Sequence, residues 1–376
     1  MALDPSWLLI GLPLAFVLGW VASRLDLRQW RMAHREAPRA YFRGLNHLLN
    51  EQQDQAIDAF IEAVQNDPDT SELHFALGNL FRRRGDYDRA VRVHQHLLSR
   101  ADLSQADRER AQHALAMDYL KAGLLDRAED ALTRLEGTRF AGQARLARLA
   151  IYERSRDWAH AAEVAQLLEQ SGEASFAPRR AHYRCEQARE RMQQGDVAGA
   201  QALLQDTLNT LPESSRARLL LGQIQLAQQQ PAQAFDTLSA LFDPPSPALP
   251  LAASALAEAA LASGRQAQAL ALLQPLQASQ PCIDLLDALQ RLAPSEQQLL
   301  AHLERSPSLL ATQRWLATQP QTTALPGSVE RALEQACRPL ARYRCAACGF
   351  ETRDYFWHCP GCQAWDSFPP RRIEEL

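Results

Sequence analysis

The feature that most constrains the fold of this 376-residue chain is a turn that keeps returning. A short loop followed by a fixed alanine reads Gly85-Asp86-Tyr87-Asp88-Arg89-Ala90, then Gly123-Leu124-Leu125-Asp126-Arg127-Ala128. It returns from Gly195 to Ala200 and from Gly264 to Ala269, with weaker copies ending at Ala56, Ala161 and Ala234. The seven alanines lie 34, 38, 33, 39, 34 and 35 residues apart. A period of about 34 residues holds two helices and a turn, and each such unit buries its apolar face only on its neighbours.

A second mark is independent of the turn. Twelve residues before each alanine stand Gly44, Gly78, Ala116, Leu149, Ala188, Gly222 and Ala257. All but Leu149 are small, as paired helices in close approach require. Leu77-Gly78-x-x-Phe81 continues the first-helix pattern, and Pro212 closes a second helix, since proline stops one. On these residues the chain resembles the tetratricopeptide repeat family over roughly residues 38–280. The register then blurs, and Asp243-Pro244-Pro245-Ser246-Pro247 is a rigid break. Leucines such as Leu285, Leu286 and Leu289 predict degenerate capping helices, which extend the array to residues 38–317. Residues 318–328, with Pro320, Pro326 and Gly327, read as a linker.

The repeat resemblance implies a concave surface lined by the first helix of each pair. The register places Asn79, Arg82, Arg83, Arg110, His113, Lys121, Arg154 and Arg189 there as candidate partner contacts. Several are cationic, which suits an anionic peptide or headgroup. Arginine alone is a weak signal, because Lys121 is the single lysine among 40 basic residues.

Four of the 7 cysteines fall within the last 32 residues. They form two pairs, Cys345-x-x-Cys348-Gly349-Phe350 and Cys359-Pro360-x-Cys362. Two such pairs on tight turns present four thiolates tetrahedrally to one ion. Cys185, Cys282 and Cys337 have no partner at metal spacing and read as small buried hydrophobes. So sparse and odd a cysteine set excludes a disulfide-stapled secreted domain. The paired motifs resemble a rubredoxin-type knuckle over residues 341–370. The loop between the pairs is shorter than in electron-carrying rubredoxins, and Gln363 stands where glycine is usual. Both departures favour a structural site for one iron or zinc ion. With the helix Val329–Leu340 this makes a C-terminal module, residues 329–376. Val329, Leu333 and Cys337 give that helix one apolar stripe. So small a module has too little core to stand alone and is expected to dock on the end of the array.

Residues Pro5 to Ser23 carry no charged side chain and are bracketed by Trp7 and Trp20. Nineteen residues without a charge are close to the ~20 that cross a bilayer, so residues 1–23 read as a membrane anchor. Residues 24–37 read as a basic juxtamembrane helix, with Arg28, Arg31 and Arg35 on one face toward anionic lipid. The positive-inside bias places the bulk of the chain in the cytoplasm. The predicted fold class is all-α: an N-terminal transmembrane helix, a tetratricopeptide α-solenoid and a small rubredoxin-like four-cysteine metal domain.

The net charge is −4, and residues 341–376 balance five arginines with five acids, which weighs against nucleic acid as a partner. No phosphate loop, Gly-x-Ser-x-Gly elbow or His-Glu-x-x-His helix is present, so no enzyme is expected. Anchor, repeat array and four-cysteine knuckle, in that order, resemble the lipopolysaccharide assembly protein B family of Gram-negative bacteria. That resemblance implies an inner-membrane adaptor. It would promote proteolysis of the committed-step lipid A deacetylase by a membrane-anchored AAA metalloprotease. Lipopolysaccharide assembly proteins, or lipopolysaccharide itself, are further implied partners, with membrane lipids at the anchor. A membrane-tethered scaffold for another envelope complex and an iron electron-transfer protein are the alternative classes.

Overall fold

The computed structural model describes residues 14–21, 39–67, 69–172, 175–319 and 326–376. Most of the expected anchor 1–23, the whole basic segment 24–37 and most of the linker 318–328 lie outside these residues. Residues 14–21 are helical, with Leu14, Phe16, Leu18 and Trp20 exposed. Among the described residues no helix is long and apolar enough to cross a membrane.

The chain divides into two compact units, Met1–Ser155 and Arg156–Leu376. The first contains α1 (residues 39–49), α2 (Gln53–Asn66), α3 (Ser71–Arg84), α4 (Tyr87–Ser99), α5 (Gln105–Lys121), α6 (Leu125–Thr133) and α7 (Ala141–Ser155). The second opens with α8 (Trp158–Gln170), α9 (Ala177–Gln193), α10 (Val197–Thr210), α11 (Ser215–Ala227) and α12 (Pro231–Ser239). It continues through α13 (Leu249–Ser263), α14 (Gln266–Ser279), α15 (Ile283–Leu292), α16 (Glu296–Arg305), α17 (Leu309–Thr318) and α18 (Gly327–Leu340). A two-residue hairpin, β1 (Tyr343–Arg344) and β2 (Glu351–Thr352), and a 3-10 turn, Ile373–Glu375, complete it.

The repeat register explains the packing. Ala56, Ala90, Ala128, Ala161, Ala200, Ala234 and Ala269 are all 0% exposed, each near the start of a second helix. The small positions are held by close approach. A methyl on Gly44 would meet the Phe60 ring at 2.8 Å, on Gly78 the His94 ring at 2.5 Å, and on Gly222 Leu238 at 2.5 Å. Each neighbour lies sixteen residues on. The same spacing pairs Ala116 with Leu132, Ala188 with Leu204 and Ala257 with Leu273 in the sequence. Leu149, the exception, stands sixteen before Ala165, so the large and small residues have exchanged places.

Gly222→Ala is therefore expected to lower stability by roughly 1–3 kcal/mol through overpacking against Leu238. The sign is informative, because alanine in a helix is otherwise favoured over glycine by about 1 kcal/mol. A denaturant midpoint equal to or above wild type would show that close approach does not fix this position.

Inside the first unit lies a polar knot. Asp118 is fully buried and accepts from Arg82 Nη1 at 3.0 Å, while its second oxygen lies 2.5 Å from His94 Nδ1. One carboxylate thus ties α3, α4 and α5. The expected degenerate caps are α15–α17, and α18 packs on them through Cys337, 3% exposed, and Leu333. Val329, expected on the same stripe, is 44% exposed. α17 ends at Thr318 and α18 begins at Gly327, and residues 320–325 of the expected linker lie outside the described residues.

Candidate metal centre

The hairpin sets the first cysteine pair. Cys345 N–H donates to the Phe350 carbonyl and Gly349 N–H to the Cys345 carbonyl, both at 2.9 Å. Gly349 has φ +77°, a left-handed conformation that glycine adopts freely. In the second pair Cys359 N–H donates to Ala364 at 2.9 Å and Gln363 N–H to Cys359 at 2.8 Å. Gln363 takes φ 61°, so the turn is kept although the side chain opposes it. Gln363→Gly is expected to stabilise the module by about 1 kcal/mol, the cost of a left-handed non-glycine residue. Thermal unfolding of the metal-loaded chain would show it, and a lower midpoint would mean the Gln363 side chain itself contributes.

These turns converge four sulfurs. Cys345 and Cys362 Sγ are 3.8 Å apart, Cys348 and Cys359 Sγ 3.7 Å, and all four lie within 4.8 Å of one another. A tetrahedron with metal–sulfur bonds of ~2.3 Å has edges of ~3.8 Å, so the set fits one tetrahedral ion. Burial opposes ionisation of Cys345. The Ser367 hydroxyl at 3.3 Å and the N–H groups of Cys348 and Ala347 outweigh it and bring the thiol down to about 6. Cys348 goes the other way. Phe350 N–H favours its thiolate, but burial and the Cys362 and Cys345 sulfurs push it up to about 12. Four crowded sulfurs cannot all ionise unless a cation replaces their shared protons. Burial pushes the Cys185 and Cys282 thiols up to about 12, which fits their reading as inert core residues.

The module does not sit only at the end of the array, and its core is not separate. Trp365 stacks on His182 at 4.9 Å and meets Tyr183 and Trp158 edge-on at 5.7 and 6.0 Å. His182 Nε2 lies 2.9 Å from Asp366 Oδ2. Arg216 lies 5.9 Å from the Trp357 ring and 6.0 Å from Trp365, and pairs with Glu186 at 2.5 Å. Leu251 of α13 packs against Tyr343, Cys345, Cys359 and Phe368. His182 and Arg216 stand six residues before Ala188 and Gly222, the register position that Arg110 occupies before Ala116. The module therefore lies on first-helix positions of α9 and α11. That signal was present in the sequence, but nothing local says which residues will cover it.

The tail fastens the other side. Glu375 accepts from Ile283 N–H at 2.6 Å, and Glu374 from the Ser308 hydroxyl at 2.6 Å and Leu309 N–H at 2.5 Å. Two adjacent carboxylates thus cap the N-termini of α15 and α17, where donors are otherwise unpaired. Arg372 pairs with Asp284 at 2.7 Å and lies over Tyr343.

In the first unit, Asn79, Arg82, Arg110 and His113 come together in a groove of about 680 Å³. Arg139, Phe140 and Gln143 join them, from the start of α7 and the turn before it. Register counting missed the first two because they precede their helix. Arg83, Lys121 and Arg154 are exposed but do not line the groove. Arg189 belongs to the second unit, where it pairs with Glu186 at 3.6 Å.

A sequence family described as a rubredoxin metal binding domain matches residues 343–370, and tetratricopeptide repeat families match 43–101 and 191–245. The chain is 30% identical to lipopolysaccharide assembly protein B of Escherichia coli (strain K12), across 97% of this chain and 98% of that protein. It is 25% identical to the protein of that name from Haemophilus influenzae, across 98% of each. A tetratricopeptide repeat protein from Parabacteroides merdae, known by crystal structure, covers 69% of this chain and 99% of its own length. Its identity is 14% and its TM-score 0.34.

Proposed function

The chain belongs to the lipopolysaccharide assembly protein B family, and from that premise we propose that it is a non-enzymatic adaptor in lipopolysaccharide assembly. In this reading residues 1–23 hold it in the bacterial inner membrane with the array facing the cytoplasm. It brings the lipid A deacetylase to a membrane-anchored AAA metalloprotease and so limits commitment of carbon to lipid A. Lipopolysaccharide assembly proteins or lipopolysaccharide engage the same array. Confinement to one membrane raises the encounter rate of these partners without new contacts.

The observation that carries the reading is the groove of the first unit, where side chains from three helices and a turn converge on a partner-sized space. The ion, iron or zinc, serves structure in this reading, because four thiolates complete a tetrahedral shell and leave no position for a substrate. Depletion of the chain tests the proposal. The deacetylase half-life should lengthen several-fold and lipopolysaccharide content should rise. An unchanged half-life would leave a scaffold for some other envelope complex as the better reading.

A further inference from the structure

The second unit displays an occupant on its own first-helix face. A tryptophan, Trp365, lies flat on His182, and the neighbouring carboxylate of Asp366 is bound by the same imidazole. Arg216 supplies positive charge beside the Trp357 and Trp365 rings. Those positions thus accept an acidic residue next to an aromatic one.

The groove of the first unit repeats the same chemistry. Arg110, at the register position of His182 and Arg216, lies over Phe75 at 4.1 Å. Phe140 is stacked on His113 at 4.8 Å and has Arg139 over it at 4.9 Å. Stacking holds these cations in place, so little side-chain freedom is lost when a ligand arrives. Three arginines line the space. Two carboxylates answer them: buried Asp118, shared between Arg82 and His94, and exposed Glu72 on Arg110. Arg139 donates to the Ala106 carbonyl and has no carboxylate partner among the described residues. The Asn79 carbonyl oxygen is taken by Arg82 at 2.6 Å, which leaves its amide N–H groups as donors. Burial and the nearby Arg82 charge both push His113 below the ordinary histidine range.

We propose that this groove receives an acidic–aromatic segment of a partner protein, with a carboxylate against Arg139 and Arg110 and an adjacent ring beside Phe140 and His113. The inference deepens the adaptor reading, on which the partner's role rests but the binding itself does not. The test uses the purified full chain in detergent and a short fluorescein-labelled peptide alternating Trp and Asp. Its control replaces every Asp with Asn. Anisotropy should show the Asp peptide bound at least about tenfold more tightly, the worth of one or two charge-assisted hydrogen bonds. Arg139→Gln and Arg110→Gln should each remove most of that advantage, and Arg154→Gln, outside the groove, none of it. Arg139 is exposed, so its substitution leaves the fold intact. Because the measurement is made on purified protein, failure here overturns the groove while the depletion phenotype stands. A normal deacetylase half-life on depletion overturns the adaptor reading while peptide binding stands. Equal affinity for the Asp and Asn peptides, no binding at millimolar peptide, wild-type affinity in both arginine variants, or displacement by glycerol 3-phosphate at equal concentration would each overturn the proposal.

Discussion

Cys359→Ser is expected to strip the ion from the chain and unfold residues 343–370. Cys359 is 0% exposed and packs with Tyr343 and Phe368, so the ligand is also a core residue. A serine oxygen does not replace a soft thiolate, and metal binding in such modules supplies on the order of 10–16 kcal/mol of folding free energy. The disturbance should not stop there. Trp357 packs against the core formed by α11–α15, and Trp365 covers His182 and Tyr183. Hydrogen exchange should quicken in α9 and α11, whereas α1–α6 of the first unit should keep their protection. Metal content by mass spectrometry checks the first part. A full complement of one ion per chain with unchanged exchange would contradict it. Acid should mimic the substitution, since falling pH returns protons to the four sulfurs and competes with the ion.

A chain ending at Ala341 should lose the stability of the second unit. Two helix caps go with the tail, Glu374 on α17 and Glu375 on α15, each worth about 1 kcal/mol. The docked Trp365 goes too, and removing a packed tryptophan costs about 3–5 kcal/mol. Together these approach the whole stability of a domain, about 5–15 kcal/mol. A solenoid left intact by truncation, the outcome expected of a module with its own separate core, is therefore not the outcome this packing predicts. The chain should unfold in two steps, α8–α17 at the lower temperature. Glu374→Ala with Glu375→Ala should give a smaller shift of the same step. One cooperative transition at the full-length midpoint would show that the module contributes nothing to the array.

The seven buried alanines were legible because a helix pair repeats its needs locally, and the six small residues before them follow from the same geometry. The four ligands were legible because two short turns fix their spacing. What escaped was long-range. Gln363 looked like a departure from the motif, yet the backbone turns there all the same, since its N–H still reaches the Cys359 carbonyl. His182 and Arg216 occupied a recognisable register position, but their partners Asp366 and Trp365 are about 150–184 residues away along the chain. Arg139 and Phe140 enter the groove from a turn, where helical periodicity carries no information. The membrane anchor rests on composition, as most of its residues lie outside those described.

The ion, the module and the second unit's first-helix face form one structural piece, and the proposed adaptor needs that piece folded. The measurement that tests it most directly is the half-life of the lipid A deacetylase in cells whose only copy of this chain carries Cys359→Ser, at matched protein level. The half-life should lengthen to that of depleted cells. A half-life equal to wild type, with the ion shown to be absent, would contradict the claim.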